Sequence, residues 1–417
     1  MATPLGLQTT GNRLSISGLL GTRDFRRVLA AMHNLTTGQG YQDIELDFSG
    51  CTAAFGGPIL AIAAQTKRYL IGGLDIDLIL PKDERLSRLF LNTNWANLID
   101  PRRFDPGTYR GFTQIPVMQF RTGQDQNEAV TLVLEKILTA LSEFDRSHLK
   151  AIEWSLNEIT DNVINHAQSP IGGLLQITNF GREQKVIEFC VCDAGIGIPA
   201  SLRSGHHEIR SDHEALDKAI REGVTRDKRV GQGNGLYGSW RITQISGGSF
   251  EIHAGNASLS SWPDALHIRP EAIPLIGSLL IARISYGKAL ALEEALKFGG
   301  KSHDPVDYVQ VAYEEDEGGL IVFPLARESQ GFGSRAAAMP VRQKLKNLLR
   351  VCDAKRIAID FSDVPIISSS FADEVFGKLF AELGPLDFMR AFEFRKVDST
   401  IQGLINRSIE QRAKTGL

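Results

Sequence analysis

Apolar and polar positions along the chain repeat one arrangement near each end. Residues 44–50 and residues 357–363 are both short runs of strand-like composition that contain Asp-Phe-Ser. A loop of small residues follows each run, and then apolar residues recur at the three- and four-residue spacing of an amphipathic helix. With one more helix before each strand, the predicted helices cover residues 23–35, 59–70, 337–351 and 371–383. This alternation of strands and helices predicts a small α/β sandwich at each end of the chain.

The middle of the chain has a longer helical pattern, followed by a continuous apolar run. Residues 147–167 predict a helix because they carry one apolar stripe, formed by Ile152, Leu156, Ile159, Val163 and Ala167. Residues 186–192 are almost entirely apolar and predict a buried strand. Further strands are predicted over residues 249–253 and 279–285.

Composition places the chain among ordinary globular proteins. Its 417 residues are enough for two or three domains, and 42% are hydrophobic while 23% are charged. A net charge of −3 gives no general attraction to nucleic acid or anionic membranes. With no apolar run long enough to span a bilayer and no secretory signal, we expect a cytoplasmic protein. Buried free thiols in a reducing compartment are expected at Cys51, Cys190, Cys192 and Cys352.

Three polar side chains share one face of the predicted central helix. Glu158, Asn162 and His166 are four residues apart, so they lie on a face different from the apolar stripe. An asparagine carbonyl together with phosphate oxygens and waters can hold Mg²⁺, and a glutamate can act on a water molecule. Taken alone, the same face is more typical of the solvated side of a helix.

An acidic residue ends the buried strand and begins a glycine-containing turn. The carboxylate of Asp193 can accept a hydrogen bond from the exocyclic amine of adenine, which would select adenine over guanine. Gly195 and Gly197 permit positive φ and close approach of a base. Without its neighbours, this segment would be a turn that terminates a strand.

A second glycine-rich segment precedes a predicted helix. Gly231, Gly233 and Gly235, followed by Leu236 and Gly238, place bare N–H groups at a helix start, where an anion such as phosphate is favoured. The segment lacks the lysine of a Walker A loop, which excludes a P-loop. It does not follow a strand within a βαβ unit, which argues against a dinucleotide-binding fold.

Residues 157–162, 193–199 and 231–238 resemble, in their order, the nucleotide site of the GHKL ATPases, which include gyrase-type, Hsp90, MutL and histidine-kinase ATP-binding domains. The resemblance implies that ATP and Mg²⁺ are bound. It implies that Asn162 is the Mg²⁺ ligand and that Glu158 holds or deprotonates the attacking water. It also implies that His166 lies near the phosphates and that Ser278 lies beside the adenine.

Both ends of the chain resemble the STAS-like fold of anti-sigma-factor antagonists. The C-terminal resemblance rests on residues 331–335 and 369–374, and the N-terminal one on strand order and residues 86–90. Together the resemblances imply an α/β and α+β multidomain protein. Its centre would be a Bergerat-type α/β sandwich, a mixed sheet with helices on one face. The expected domains are residues 1–105 (STAS-like), 113–295 (GHKL) and 303–417 (STAS-like).

Residues 198–230 would form the lid over the phosphates. Side chains in this segment could neutralise the γ-phosphate and become ordered when ATP binds. A solvated charged loop has the same composition. The candidate lid residues are Arg203, His206, His207, Arg210, Arg221, Thr225, Arg226, Lys228 and Arg229.

Several uses of ATP fit this organisation. The first is a nucleotide switch or slow ATPase that changes the protein contacts of the STAS-like domains. The second is an anti-sigma-factor-type serine kinase whose substrate would be a STAS-like domain, at Ser368, Ser369 or Ser370. For these serines a helix N-cap at Ser369 or Ser370 is the favoured interpretation.

Two further hypotheses concern the use of ATP. A histidine kinase is disfavoured because no phosphoacceptor helix pair precedes the central part. The last is a scaffold that binds ATP without hydrolysing it. Protein partners and a homo-oligomer are expected in each case, and neither a specific nucleic acid nor a membrane is predicted.

Overall fold

A computed structural model describes residues 3–107, 115–140, 144–225, 233–313, 320–352 and 356–415. The chain divides into two compact units. The first, unit 1, comprises Met1–Val130 and Trp154–Asp304, and the second, unit 2, comprises Thr131–Glu153 and Pro305–Leu417. The architecture is α/β with several separate sheets, as the sequence predicted. The limits of the three expected domains stay a prediction. Within the described ranges, no helix has the length and apolar character needed to cross a membrane.

The first part of unit 1 alternates strands and helices around a sheet of order β1-β2-β3-β4. The β1–β2 pair is antiparallel, whereas β3 pairs in parallel with both β2 and β4. The elements are β1 (Gly6–Thr10), β2 (Arg13–Leu20), α1 (Phe25–His33) with a π-helical turn at Asn34–Gly38, β3 (Asp43–Ala54), α2 (Gly56–Ile71), β4 (Asp75–Ile79), α3 (Glu84–Asn92) and α4 (Trp95–Ile99). The sequence predicted three of these elements, the helices α1 and α2 and the strand β3.

The central elements begin with β5 (Met118–Phe120), α5 (Gly123–Ala140), α6 (Arg146–Asn162) with a π-helical turn at Val163–Ala167, β6 (Gly173–Asn179), α7 (Gly181–Gln184) and β7 (Val186–Asp193). They continue with α8 (Gly197–Gly205), α9 (Asp212–Ala219), α10 (Gly235–Ser246), β8 (Ser249–Trp262), β9 (Ala265–Ser285), α11 (Leu292–Ala295), β10 (Lys297–Phe298) and β11 (Lys301–Ser302).

Five of these strands form the central sheet, in the order β5-β6-β7-β9-β8. The sequence predicted a mixed sheet, but each pairing among the described strands is antiparallel. Connection length explains two of these four pairings. Only Pro263 and Asp264 separate β8 from β9, and a short segment separates β6 from β7. Connections this short can join only antiparallel neighbours, because a parallel pair needs a long crossover.

Both faces of the central sheet are covered. Helix α10 packs on one face, while α2 of the N-terminal part packs against β6, β7 and β9 on the other. The second face carries Cys190 and Cys192, which lie in the same apolar cluster as α2, and a Cβ at Gly57 would overlap the side chain of Ile281. The helix on this second face belongs to the N-terminal part, and the sequence analysis did not predict this contact. Burying this apolar face against α2 removes it from water. The four cysteines are free and buried, as predicted.

A buried arginine ties α1 to the central sheet. Arg26 is 4% exposed, and its guanidinium donates hydrogen bonds to the carbonyl oxygens of Gly255 at 2.8 Å, Ala257 at 2.9 Å and Ile273 at 2.5 Å. Burial lowers the pKa of this guanidinium, and the nearby Glu271 carboxylate opposes the shift. Three backbone acceptors of the β8–β9 region therefore depend on one side chain.

Replacing Arg26 with methionine is expected to lower the free energy of unfolding of unit 1 by about 3 kcal/mol, because buried carbonyls lose charged donors. The matched control is Arg27→Met, since Arg27 is half exposed and pairs with Asp24 at 3.6 Å; its loss should cost less than about 1 kcal/mol. Urea unfolding followed by tryptophan fluorescence measures unit 1 alone, because it contains Trp95, Trp154, Trp240 and Trp262. Equal shifts of the two variants would contradict the role of Arg26.

Unit 2 contains a parallel sheet of order β12-β13-β14. Its elements from Pro305 onward are α12 (Tyr308–Tyr313), β12 (Ile321–Pro324), α13 (Leu325–Glu328), α14 (Arg335–Val351), β13 (Ile357–Asp360), α15 (Ser369–Ala372) continuing through a π-helical turn at Asp373–Gly377 into α16 (Lys378–Leu383), α17 (Pro385–Ala391), β14 (Phe392–Arg395) and α18 (Ser399–Thr415).

The serines before α15 differ in role from the prediction. Ser368 is the N-cap, because its Oγ accepts from the backbone N–H of Phe371 at 3.0 Å. Ser369 and Ser370 are exposed in the first turn of the helix. The expected cap at Ser369 or Ser370 is therefore wrong by one or two residues, because the extended backbone that a cap needs occurs at Ser368.

Candidate functional site

Helix α6 and the π-helical turn that follows it together form the predicted helix over residues 147–167. Its apolar stripe is buried, and its second face carries Glu158, Asn162 and His166 to the wall of one cavity. A π-helical turn adds a residue to one turn of a helix and often occurs at functional sites. The polar face is therefore not simply a solvated helix surface.

Asp193 lies at the end of β7 and is 4% exposed. One carboxylate oxygen accepts from the N–H of Gly195 at 2.7 Å, and the other accepts from the N–H of Ser278 at 3.2 Å. Burial raises the pKa of this carboxyl to about 7, although both hydrogen bonds act in the opposite direction. Each carboxylate oxygen has two lone pairs, so the group can still accept a hydrogen bond from a ligand in the cavity.

Close backbone contacts hold the Asp193 turn against the end of α6. The N–H of Ile196 donates to the carbonyl oxygen of Ala167 at 2.8 Å, and a Cβ at Gly195 would overlap that oxygen. Gly197 has a φ of +76°, as expected for a residue in this turn. Gly195 is thus needed for close approach, whereas Gly197 is needed for its backbone conformation.

The glycine-rich segment supplies the opposite wall. Gly233 has a φ of +77°, and α10 begins at Gly235 next to Glu158, whose carboxylate leaves no room for a Cβ there. The side chain of Asn234 accepts from the N–H of Gly223 at 3.1 Å and does not cap α10. The first N–H groups of α10 are therefore not capped by Asn234, and the Glu158 carboxylate lies beside them. Gly231 lies outside the described residues.

The three stretches line one cavity of about 490 Å³, which is within the range of about 300–1,000 Å³ typical of small-molecule sites. The predicted site residues in its wall are Glu158, Asn162, His166, Asp193, Gly197, Gly233, Gly235, Leu236 and Ser278. Gly195 lies directly behind Asp193 and supports the wall without lining it. The Oγ of Ser278 also accepts from the N–H of Ile198 at 3.1 Å, which fixes the start of α8.

The predicted lid contains α8 and α9, which share a small apolar cluster. Within the described part of this segment, Thr225 is the candidate lid residue that lines the cavity. Arg203 instead pairs with Asp212 at 2.5 Å, and Arg221 pairs with Asp217. The candidates Arg226, Lys228 and Arg229 lie outside the described residues. Neutralisation of phosphate by the lid stays a prediction.

The cavity also has aromatic residues that the sequence analysis did not identify. Trp154 lies one helical turn before Glu158, while Phe298 and His303 come from the β10–β11 segment after the expected GHKL domain. No local pattern marks these residues, because Phe298 and His303 reach the site through tertiary packing.

Comparisons with known proteins identify the C-terminal domain. The family described as STAS-like domain of unknown function (DUF4325) matches residues 337–402, so a STAS-like domain lies where the sequence predicted one. No protein with a curated description matches the chain. A crystal structure of full-length ShkA in complex with AMPPNP is similar to 85% of this chain and 68% of that chain, with 11% identity and a TM-score of 0.21. Similarity this low carries no argument about the site.

Proposed function

We propose that this protein binds ATP with Mg²⁺ in the 490 Å³ cavity and hydrolyses it slowly, as a nucleotide switch for protein contacts of its STAS-like domains. The observation that supports this most strongly is that residues from three distant stretches of the chain line one cavity. These stretches are the ones that resemble the nucleotide site of GHKL ATPases.

Adenine would occupy the end of the cavity at Asp193. The carboxylate is buried, fixed by two N–H donors and flanked by Ser278, so it offers a rigid acceptor for the exocyclic amine. Guanine carries a carbonyl oxygen at the corresponding position, and that oxygen would face the carboxylate without a proton between them. Such a mismatch leaves a buried polar group unpaired, and this discriminates between ligands more strongly than a difference in size does.

The phosphates would lie between Asn162 and the start of α10. An asparagine carbonyl suits Mg²⁺, which prefers oxygen ligands and keeps several waters. When bound, Mg²⁺ would neutralise charge on the phosphate oxygens. The N–H groups of the first turn of α10 favour negative charge for the same reason as other helix N-termini.

Glu158 lies in the cavity wall next to Gly235 and is suited to act as a general base. Burial, together with the nearby charge of Asp161, raises the pKa of its carboxyl to about 7. A base with a pKa near the working pH is partly deprotonated and still able to accept a proton. Glu158 would take a proton from the water whose oxygen attacks the γ-phosphorus, and ADP would leave.

Serine kinase activity is the second candidate function, favoured by the exposure of Ser369 and Ser370 in the first turn of α15. Radiolabelled γ-phosphate should then appear on the protein and disappear when Ser368, Ser369 and Ser370 are replaced by alanine. Release of free phosphate from an unlabelled protein would exclude it. Protein partners that bind through the STAS-like domains are also part of the proposal, and so is self-association, which the resemblance to GHKL domains implies.

The proposed site is tested by Asn162→Ala. This variant is expected to lose the Mg²⁺-dependent part of its ATP affinity, so that its dissociation constant no longer responds to Mg²⁺. Calorimetric titration with and without Mg²⁺ measures this. Asn157→Ala is the control, because Asn157 lies on the same helix but outside the cavity wall, and its response to Mg²⁺ should remain. An unchanged response in Asn162→Ala would exclude Asn162 as the metal ligand.

A further inference from the structure

Positions along α6 distinguish the two ends of the cavity. Ala167 contacts Gly195 at the proposed adenine end, and Glu158 lies nine residues earlier in the chain, toward the start of α6. Trp154 lies one further turn in the same direction. The part of the cavity beyond Glu158 is therefore the side from which an acceptor would approach the γ-phosphate.

Aromatic side chains surround this acceptor side. The ring of Trp154 lies 4.8 Å from that of His303 and stacks on that of Phe298 with centroids 6.2 Å apart. Gly238, in the first turn of α10, packs so closely that a Cβ would lie 3.0 Å from the Trp154 indole nitrogen and 3.3 Å from Phe298. We name Trp154, Phe298 and His303 the aromatic wall.

Two members of the wall belong to the β10–β11 hairpin. The N–H of His303 donates to the carbonyl oxygen of Leu296 at 2.8 Å, which closes the base of the hairpin. At its tip, the N–H of Gly299 donates to the carboxylate of Glu222, in the segment that follows α9. The hairpin is thus attached both to the core and to the region of the predicted lid.

We propose that the aromatic wall restricts the acceptor of the γ-phosphoryl group to water. This inference rests on the proposed ATP site. The water oxygen forms a bond to the γ-phosphorus, the bond from that phosphorus to the bridging oxygen of ADP breaks, and Glu158 takes the proton. A serine or other alcohol carries carbon next to its hydroxyl, and the wall occupies the space that this carbon would need.

The wall lies beside the half-buried Glu158. Burial raises the pKa of the Glu158 carboxyl, because loss of water disfavours the charged form. Removing one ring should admit water and bring the protonation of Glu158 closer to that of an exposed glutamate. The wall therefore predicts two linked effects, on the choice of acceptor and on the pH profile.

The test compares wild type, Phe298→Ala and the size-conserving control Phe298→Leu. Each protein is given Mg²⁺·ATP in buffer that contains glycerol, and both inorganic phosphate and glycerol phosphate are measured. In Phe298→Ala we expect at least a tenfold higher ratio of glycerol phosphate to phosphate, and a pH midpoint of phosphate release about one unit lower. The ATP dissociation constant should change less than twofold, because the wall lies beyond the phosphates. Phe298→Leu should resemble wild type.

The inference would be overturned if Phe298→Ala kept the wild-type ratio of glycerol phosphate to phosphate and the wild-type pH midpoint of phosphate release, with ATP affinity preserved. The proposed ATP site would then still stand. Transfer to glycerol or to protein by wild type would also overturn it. If wild type failed to bind ATP at all, the proposed function itself would fail. Should Phe298→Ala not fold, His303→Ala replaces it, because the exposed His303 side chain is not part of the core, and the same ratio decides.

Discussion

Replacing Glu158 with glutamine is expected to lower the rate of ATP hydrolysis by about 100-fold or more, because a positioned general base contributes about 10²–10⁴-fold. Glutamine keeps the size of the side chain but cannot take a proton from water. The affinity for ATP should stay within about twofold, since in the proposed site Glu158 would contact the attacking water and not the adenine. Phosphate release and equilibrium nucleotide binding, measured on the same preparation, separate the two effects.

The pH dependence of phosphate release follows from the same residue. The pKa of Glu158 is raised to about 7, so the base is protonated and inactive below that pH, and the rate should rise through about pH 7 to a plateau. Removing the neighbouring charge with Asp161→Asn should lower the pKa of Glu158 and move the midpoint to lower pH. If Glu158→Gln retained wild-type turnover, Glu158 would not be the base. If Asp161→Asn moved the midpoint to higher pH, the stated cause of the shift would be wrong.

Replacing Asp193 with asparagine is expected to weaken ATP binding by about tenfold or more, because a hydrogen bond to a charged group contributes about 1.5–3 kcal/mol. In the wild-type protein, the N–H groups of Gly195 and Ser278 donate to the two carboxylate oxygens. The substitution replaces one of these oxygens with an amide NH₂, which cannot accept a hydrogen bond from either N–H. Selectivity for ATP over GTP should fall as well. Competition titrations with both nucleotides measure these changes.

Asp193 also predicts how ATP affinity depends on pH. With its pKa raised to about 7, the free carboxyl holds a proton below that pH and cannot accept from the adenine amine. Affinity should therefore fall as the pH drops below about 7, by about tenfold or more in total, because a protonated Asp193 loses the same hydrogen bond as Asp193→Asn, and it should level off above about pH 7. The phosphates of ATP titrate too, but they do so equally in Asp193→Asn, so the difference between the two proteins isolates Asp193. Parallel pH profiles would contradict the assignment.

The same pKa shift makes folding stability depend on pH in the opposite direction from ATP affinity, because stability falls as the pH rises. A carboxyl whose folded pKa lies above its unfolded value stabilises the folded protein at low pH. This contribution is fully present below the unfolded value of 3.8 and is lost as the pH rises through about 7. Bound ATP should offset that loss, because it favours the charged form.

Local sequence patterns were sufficient for the elements that carry the candidate site. The helical stripe over residues 147–167 predicted α6 and its polar face, and the apolar run over residues 186–192 predicted β7 with Asp193 at its end. These predictions succeeded because helical spacing and strand termination are encoded by neighbouring residues. The repeat near the ends likewise predicted α2 and α14, and the latter lies largely within the matched STAS-like region.

Features that depend on distant residues were missed. Nothing near Phe298 or His303 indicates that they line a cavity with Glu158. The sequence pattern of α2 does not indicate that this helix covers the second face of the central sheet. Gly57 allows the contact, because a Cβ there would overlap the side chain of Ile281. Apolar spacing does not determine strand direction, and the short connections that fix the β6–β7 and β8–β9 pairs as antiparallel were not used in predicting a mixed sheet.

A crystal structure of this protein with Mg²⁺ and a non-hydrolysable ATP analogue tests the proposed site most directly. We predict that the exocyclic amine of adenine lies within hydrogen-bond distance of the Asp193 carboxylate, that the metal ion contacts Asn162, and that the phosphates lie between Asn162 and the start of α10. A nucleotide bound in another part of the protein, or in this cavity with its base away from Asp193, would contradict the proposal.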